Sequence, residues 1–145
     1  MLLAALVASC GGAGPRPVVM GEDECGYCRM EVTDARFAAE AVTRTGRVHV
    51  FDSVECLAGY ARGAEKGSET ALYVTDADAP GTFVEAAQAG YLTGSTLRGP
   101  MGSTVAFASP SAARAAQARV GGTVVEWATV LADSSSHAVG AHGAH

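Results

Sequence analysis

Apolar and polar positions alternate along Phe37–Thr43 (FAAEAVT) and Arg47–Phe51 (RVHVF), with Arg44-Thr45-Gly46 between them. That pattern predicts two short strands joined by a tight turn at Gly46. Asp52 or Ser53 can cap a helix running to about Ala64 (SVECLAGYARGA), with Leu57 and Tyr60 on one face. A polar loop containing Gly67 leads to a third strand, Ala71–Thr75 (ALYVT).

The same order returns further along. Phe51-Asp52-Ser53 matches Phe107-Ala108-Ser109, and Thr45-Gly46 matches Met101-Gly102. Gly90–Gly94, around Tyr91 and Leu92, and Thr104–Ala108 (TVAFA) read as strands. Ser109-Pro110 opens an Ala-rich helix that runs to about Val120 and stops at Gly121-Gly122. Thr123–Trp127 (TVVEW) closes the series as a strand. The expected fold is therefore α+β, two similar ββαβ units over 25–80 and 81–133. Units that small seldom stand alone, so the two should pack together.

Both ends differ from this. Met1–Ser9 (MLLAALVAS) is wholly apolar and ends in small residues before Cys10, which resembles the lipobox of bacterial lipoproteins. Residues 1–9 are then a signal peptide, Cys10 carries the lipid, and residues 10–24 form a tether. The absence of a basic segment before the run points to a start upstream. Gly- and Pro-containing Gly11–Glu24 has a reach on the order of 20 Å if flexible. This arrangement places the folded part outside the cytoplasm, held at a membrane by its lipid. The tail, 134–145, is low in complexity and is expected to be disordered. Its His137, His142 and His145 offer at best an auxiliary metal site.

Composition narrows the function. The 145 residues are 48% apolar with a net charge of −5 and contain no basic stripe with interleaved aromatics, so nucleic acid is not an expected partner. No apolar run reaches the roughly 20 residues of a membrane span. Nor is there a Ser/His/Asp constellation, a carboxylate pair or a Gly-rich phosphate loop.

Four Cys and four Met carry the candidate chemistry. Cys25-Gly26-Tyr27-Cys28-Arg29-Met30 is the sharpest local feature, and a CxxC alone is shared by zinc, redox, haem and copper sites. Haem attachment requires His where Arg29 stands. Zinc has no second CxxC, although His49 could complete a Cys3His set with Cys25, Cys28 and Cys56. A redox dithiol would sit between a strand and a helix, a pattern missing here. Met30 adds a thioether, a poor ligand for zinc and a good one for Cu(I). Arg29 would favour the Cys28 thiolate by charge. Met30 as ordinary core filler stays open on local pattern alone.

The strings CGYCRM, FDSVECLAGY, TFVEAAQAGYL, GPMGSTVAF and GGTVVEW, in order from about Cys25 to Leu131, resemble the NosL family of lipid-anchored copper chaperones for nitrous-oxide reductase assembly. The resemblance implies two ββαβ units, no enzymatic activity and a Cu(I) cargo held by Cys and Met. Its motifs fall on Cys28 and Met30, with Cys25 at the first Cys position, and on Pro100-Met101-Gly102. Arg29 stands where many relatives have Gly. The implied partners are apo nitrous-oxide reductase and its membrane-bound assembly machinery; a homodimer around the metal stays open.

Met101, between Pro100 and Gly102, should be presented outward by its turn and could meet the Cys28–Met30 strand if the halves pack face to face. Cys56 reads as a buried inert thiol, His49 as solvent-facing and Asp52 as a helix cap rather than an acid. The rival readings are an extracytoplasmic thiol–disulfide protein using Cys25 and Cys28, and a zinc-stabilised interaction module.

Overall fold

A computed structural model describes residues 13–63 and 69–133, with 69 and 70 described by their backbone alone. Cys10, the apolar run expected to be a signal peptide and the His-containing tail lie outside the described residues.

The hairpin expected from the first alternating stretch is β1 (Ala39–Thr43) and β2 (Val48–Phe51), antiparallel with Ala39 opposite Phe51. Gly46 takes a φ of 85°, a left-handed conformation that glycine adopts without steric cost. Helix α1 (Val54–Gly63) follows, and β3 (Glu69–Thr75) returns on the other side of β1. A short β4 (Phe83–Glu85), not anticipated from the sequence, extends this sheet to the order β2-β1-β3-β4.

The second unit repeats the plan. β5 (Gly90–Thr93) lies between β6 (Val105–Phe107) and β7 (Thr123–Val125), with α2 (Pro110–Val120) connecting the outer strands. In both sheets the first strand of the unit sits centrally between its hairpin partner and the strand after the helix. The final strand is shorter than expected, because Trp127–Asp133 turns into a third helix, α3.

Matching positions do matching work. Ser53 Oγ accepts the Cys56 N–H at 3.1 Å, and Ser109 Oγ accepts the Ala112 N–H at 3.1 Å. Each serine therefore caps its helix by satisfying an otherwise orphaned amide. Ser53, not Asp52, is the cap of α1, which releases Asp52 for another role. Phe51 and Phe107 end their hairpins fully buried.

One principal core crosses both units. Ala39, Phe51, Leu57 and Val74 of the first meet Tyr91, Ala106 and Val130 of the second. Ala77 N–H donates to Ala106 C=O at 3.0 Å, and Arg62 reaches the Leu131 carbonyl at 3.0 Å from α1 to α3. A second cluster, Phe37, Leu92, Val105, Phe107, Ala113 and Ala116, lies beneath α2. The backbone there is tight: a Cβ on Gly90 would stand 2.5 Å from the Pro110 Cα.

The far face of the first sheet is covered by the segment expected to be a tether. Val18 packs against Val32, Ala38 and Val50. Arg16 pairs with Asp23 at 2.7 Å, and its N–H donates to the buried Glu40 carboxylate at 2.8 Å. From Arg16 on, the chain is fastened to the domain and is not a free linker. The physical reason is that Val32, Ala38, Val50 and a buried acid would otherwise face water. Among the described residues no helix is long and apolar enough to cross a membrane.

Candidate metal centre

Residues Asp23–Val32 form a narrow hairpin whose tip is the CxxC. Cys25 N–H donates to the Met30 carbonyl at 2.8 Å, and Arg29 N–H donates back to the Cys25 carbonyl at 3.0 Å. Closing so tight a loop drives Arg29 to a φ of 67°, where a side chain crowds the backbone. A glycine would meet that demand without cost. Cys28 N–H points at the Cys25 sulfur, 3.5 Å away.

Two contacts press this knuckle onto the first unit. Gly26 N–H donates to the Val50 carbonyl of β2 at 2.8 Å. The Tyr27 ring lies over Gly59 of α1 so closely that a Cβ there would be 2.5 Å from its Cζ. The knuckle thus rests between the end of β2 and the first turns of α1.

That placement assembles a group whose three cysteines the sequence joined only in the zinc alternative, with His49 where the structure has Asp52. Ligand atoms of Cys25, Cys28, Asp52 and Cys56 all lie within 4.8 Å of one another. Asp52 follows β2 and Cys56 sits in the first turn of α1, so the strand-to-helix corner delivers both to the knuckle. Cys25 and Cys56 are fully buried, Asp52 is 1% exposed, and Cys28 is half-buried at the mouth. All three thiols are free. Cys28 Sγ donates to Asp52 Oδ2 at 3.3 Å, whereas Asp52 Oδ1 is buried without a hydrogen-bond partner. A carboxylate oxygen is costly to bury in that condition, and a bound cation would satisfy it.

The electrostatics single out Cys25. The Cys56 thiol hydrogen-bonds to it, holding the Cys25 thiol below its ordinary value, with help from backbone amides of the knuckle. Cys56 is pushed up as the donor of that bond and by its burial. Burial also raises Cys28, and the neighbouring Cys25 and Asp52 add to the effect. The expected help of Arg29 to the Cys28 thiolate is not realised: its side chain is 75% exposed and directed to Glu24 at 3.6 Å.

Four donors this close approach the size of a metal shell, since metal–sulfur bonds of about 2.3 Å put tetrahedral sulfurs about 3.8 Å apart. Thiolates favour soft ions, and three of them can surround one without water.

Of the residues expected in the site, the structure brings Cys25 and Cys28 together. Met30 is 54% exposed beside the mouth, its backbone carbonyl engaged by Cys25. Met101 is not turned outward as expected. It is half-buried and packs on the principal core cluster, which contains Cys25 and Cys56 and against which Cys28 also lies. Turning that thioether inward removes apolar surface from water. Cys56 is buried as expected but belongs to the thiol group, and Asp52, not His49, completes it. The half-buried His49 ring instead stacks near Tyr60, with centroids 5.4 Å apart.

A signal for the two missed residues does exist in the sequence. Aligning the repeats on Phe-x-Ser puts Ala108 against Asp52 and Ala112 against Cys56. Where a duplicated scaffold manages with alanine, the polar residue in the other copy is there for something besides the fold.

A family model described as NosL matches residues 17–135. Among solved structures, the copper chaperone NosL from Shewanella denitrificans matches with a TM-score of 0.65 and 24% identity, covering 77% of this chain and 92% of that one. The apo-NosL protein from Achromobacter cycloclastes, solved by solution NMR, matches with a TM-score of 0.45 and 29% identity over 62% of this chain and 82% of its own. No curated protein matches.

Proposed function

The chain belongs to the NosL family, and from that premise we propose that it is a metallochaperone that binds Cu(I) and passes it to an extracytoplasmic metalloenzyme, nitrous-oxide reductase, with that enzyme's membrane-bound assembly machinery. The observation that carries this reading is the convergence of three free thiols and one buried, half-satisfied carboxylate within 4.8 Å. Cu(I) is a soft ion content with two or three sulfur ligands. Cys25 and Cys56 supply an inner pair that solvent does not reach, and Cys28 closes the site at its mouth.

The handover follows from the same asymmetry. An incoming Met, His or Cys of the acceptor can approach only from the Cys28 side. It enters the Cu(I) shell before Cys28 leaves, so no free ion forms. Met30 stands at that entrance and Met101 on the adjoining core surface, each offering a thioether that keeps its ligand character at any physiological pH. A lipid on Cys10 would hold the domain at the outer side of a bacterial membrane, where the acceptor matures. The packed Arg16–Val18 segment leaves only a short stretch between anchor and domain.

The test is an anaerobic titration of the reduced chain with Cu(I) and with Zn(II), alongside Cys28→Ser and Met30→Leu. Tight Cu(I) binding that is weakened in both variants supports the chaperone. A preference for Zn(II), or a site indifferent to Met30, rejects the Cys/Met copper reading. A reversible Cys25–Cys28 disulfide with no metal affinity would establish the thiol–disulfide alternative instead.

A further inference from the structure

The turn that carries Met101 is clamped at both ends. Gly99 N–H donates to the Gly102 carbonyl at 2.8 Å, closing Gly99-Pro100-Met101-Gly102 into a tight loop. At one end, Gly99 lies against the buried Phe37 ring, where a Cβ would meet the ring at 2.8 Å. At the other, Gly102 lies against the Glu55 carboxylate, where a Cβ would stand 2.5 Å from Oε1. The same Glu55 oxygen accepts the Thr104 N–H at 2.9 Å, a contact between residues 49 apart in sequence.

Glu55 is half-buried in the first turn of α1 and directly precedes Cys56. One helical turn therefore carries both a thiol of the metal group and the carboxylate that holds the second unit's Met101 turn. From this juxtaposition we infer that Glu55 is a positioning residue: it docks the Met101 turn against the thiol group and so sets how firmly Cu(I) is retained. The inference rests on the copper reading above and adds a residue that need not touch the metal. Its chemistry is that of an outer-shell acceptor, fixing a ligand-bearing loop by a backbone amide. Glu55 has no counterpart in the second unit, where Ser111 occupies the matching place, so helix formation does not demand it.

The experiment uses the full reduced chain with Glu55→Ala, Glu55→Gln, Met101→Leu and Glu55→Ala/Met101→Leu. Cu(I) affinity is read by competition with bicinchoninate, and the Met101 methyl is followed by NMR in the metal-free chain. Glu55→Ala should weaken Cu(I) binding by about tenfold, the scale of an outer-shell loss. Gln keeps an acceptor oxygen for the Thr104 N–H, so Glu55→Gln should restore wild-type affinity. In the Met101→Leu background, Glu55→Ala should add no further loss. The Met101 methyl resonance should move toward its unstructured position in Glu55→Ala and stay in place in Glu55→Gln.

An unmoved methyl in Glu55→Ala overturns the inference whether or not copper binds. Equal losses in the Ala and Gln variants would make charge the cause and would also overturn it, as would additive losses in the double variant. A wild-type chain that binds no Cu(I) overturns the copper reading separately, with the methyl shift still deciding whether Glu55 positions the turn.

Discussion

Cys56→Ala separates what the metal group needs from what the fold needs. The substitution removes one sulfur from a fully buried position and leaves the helix cap intact, because Ser53 Oγ binds the backbone amide of residue 56 and not its side chain. The second unit shows the outcome in advance: Ala112 occupies the matching position with the same 3.1 Å bond to Ser109. Removing one buried heavy atom, with partial collapse around it, should cost about 1 kcal/mol. For a domain of this size that lowers the melting temperature by roughly 3–8 °C, and the chain stays folded. Cu(I) affinity should fall at least about a hundredfold, since even outer-shell losses at metal sites reach that range.

Two assays read the two effects. Calorimetry of the metal-free variant gives the first, and anaerobic competition with bicinchoninate gives the second. A third readout follows from the thiol hydrogen bond: without the Cys56 donor, Cys25 should ionise at higher pH, visible in the ultraviolet thiolate absorbance. A variant that keeps Cu(I) affinity within about threefold of wild type, against that hundredfold expectation, would return Cys56 to the role of core thiol. One that unfolds would refute the equivalence with Ala112.

Further outcomes are expected away from the metal group. Glu40 is fully buried with Oε1 unpartnered, and burial lifts its carboxyl from 4.5 to about 7. Below 4.5 both folded and unfolded chains hold the proton, so stability is then greatest with respect to this group. Between 4.5 and 7 the unfolded chain ionises first, and stability falls until the loss, at most roughly 3 kcal/mol, is complete above 7. Glu40→Gln, which can still accept the Arg16 N–H, should flatten the melting temperature over that range, and an unchanged pH profile would refute the assignment. Arg29→Gly should raise the stability of the metal-free chain by about 1 kcal/mol in denaturant unfolding, because φ of 67° strains an arginine and not a glycine. A loss of stability would show that the Glu24 ion pair outweighs the strain.

The fold was largely legible in the sequence because its signals are local. Alternation over Phe37–Phe51, the Ser53 and Ser109 caps, Pro110 and the Gly121 stop each act within a few residues, and each sits where expected. β4 is three residues long and partly exposed, too short for alternation to register. Trp127 reads as a strand end by its β propensity, yet starting α3 there lets its ring meet Tyr91 at 5.8 Å, a tertiary contact outweighing a local preference. The N-terminal stretch misled for a related reason: Gly and Pro content suggests freedom, while Arg16–Asp23 and Arg16–Glu40 contacts fix it. Of the site, the CxxC was legible as a contiguous motif. Cys56 and Asp52 reach it only through the corner after β2, which no spacing rule records.

The repeat of the unit bears on why that corner could hold a group able to take a metal. Each unit needs a hairpin ending in a buried Phe, a Ser cap and a helix covering its sheet, and both units have these. The second meets the need with an exposed Ala108 and a half-buried Ala112. The first carries Asp52 and Cys56 at the matching positions and buries both, which the repeat of the fold in the second unit does not demand. The cost is local and visible: one carboxylate oxygen buried without a partner and three thiols held close with no disulfide between them. A soft cation bound there would relieve that cost. The second unit in turn packs Met101 against the same core, and its Thr104 N–H is fastened to Glu55 on the helix that bears Cys56. The group thus sets two buried thiols, Cys25 and Cys56, behind a half-buried Cys28, the arrangement on which the proposed handover depends.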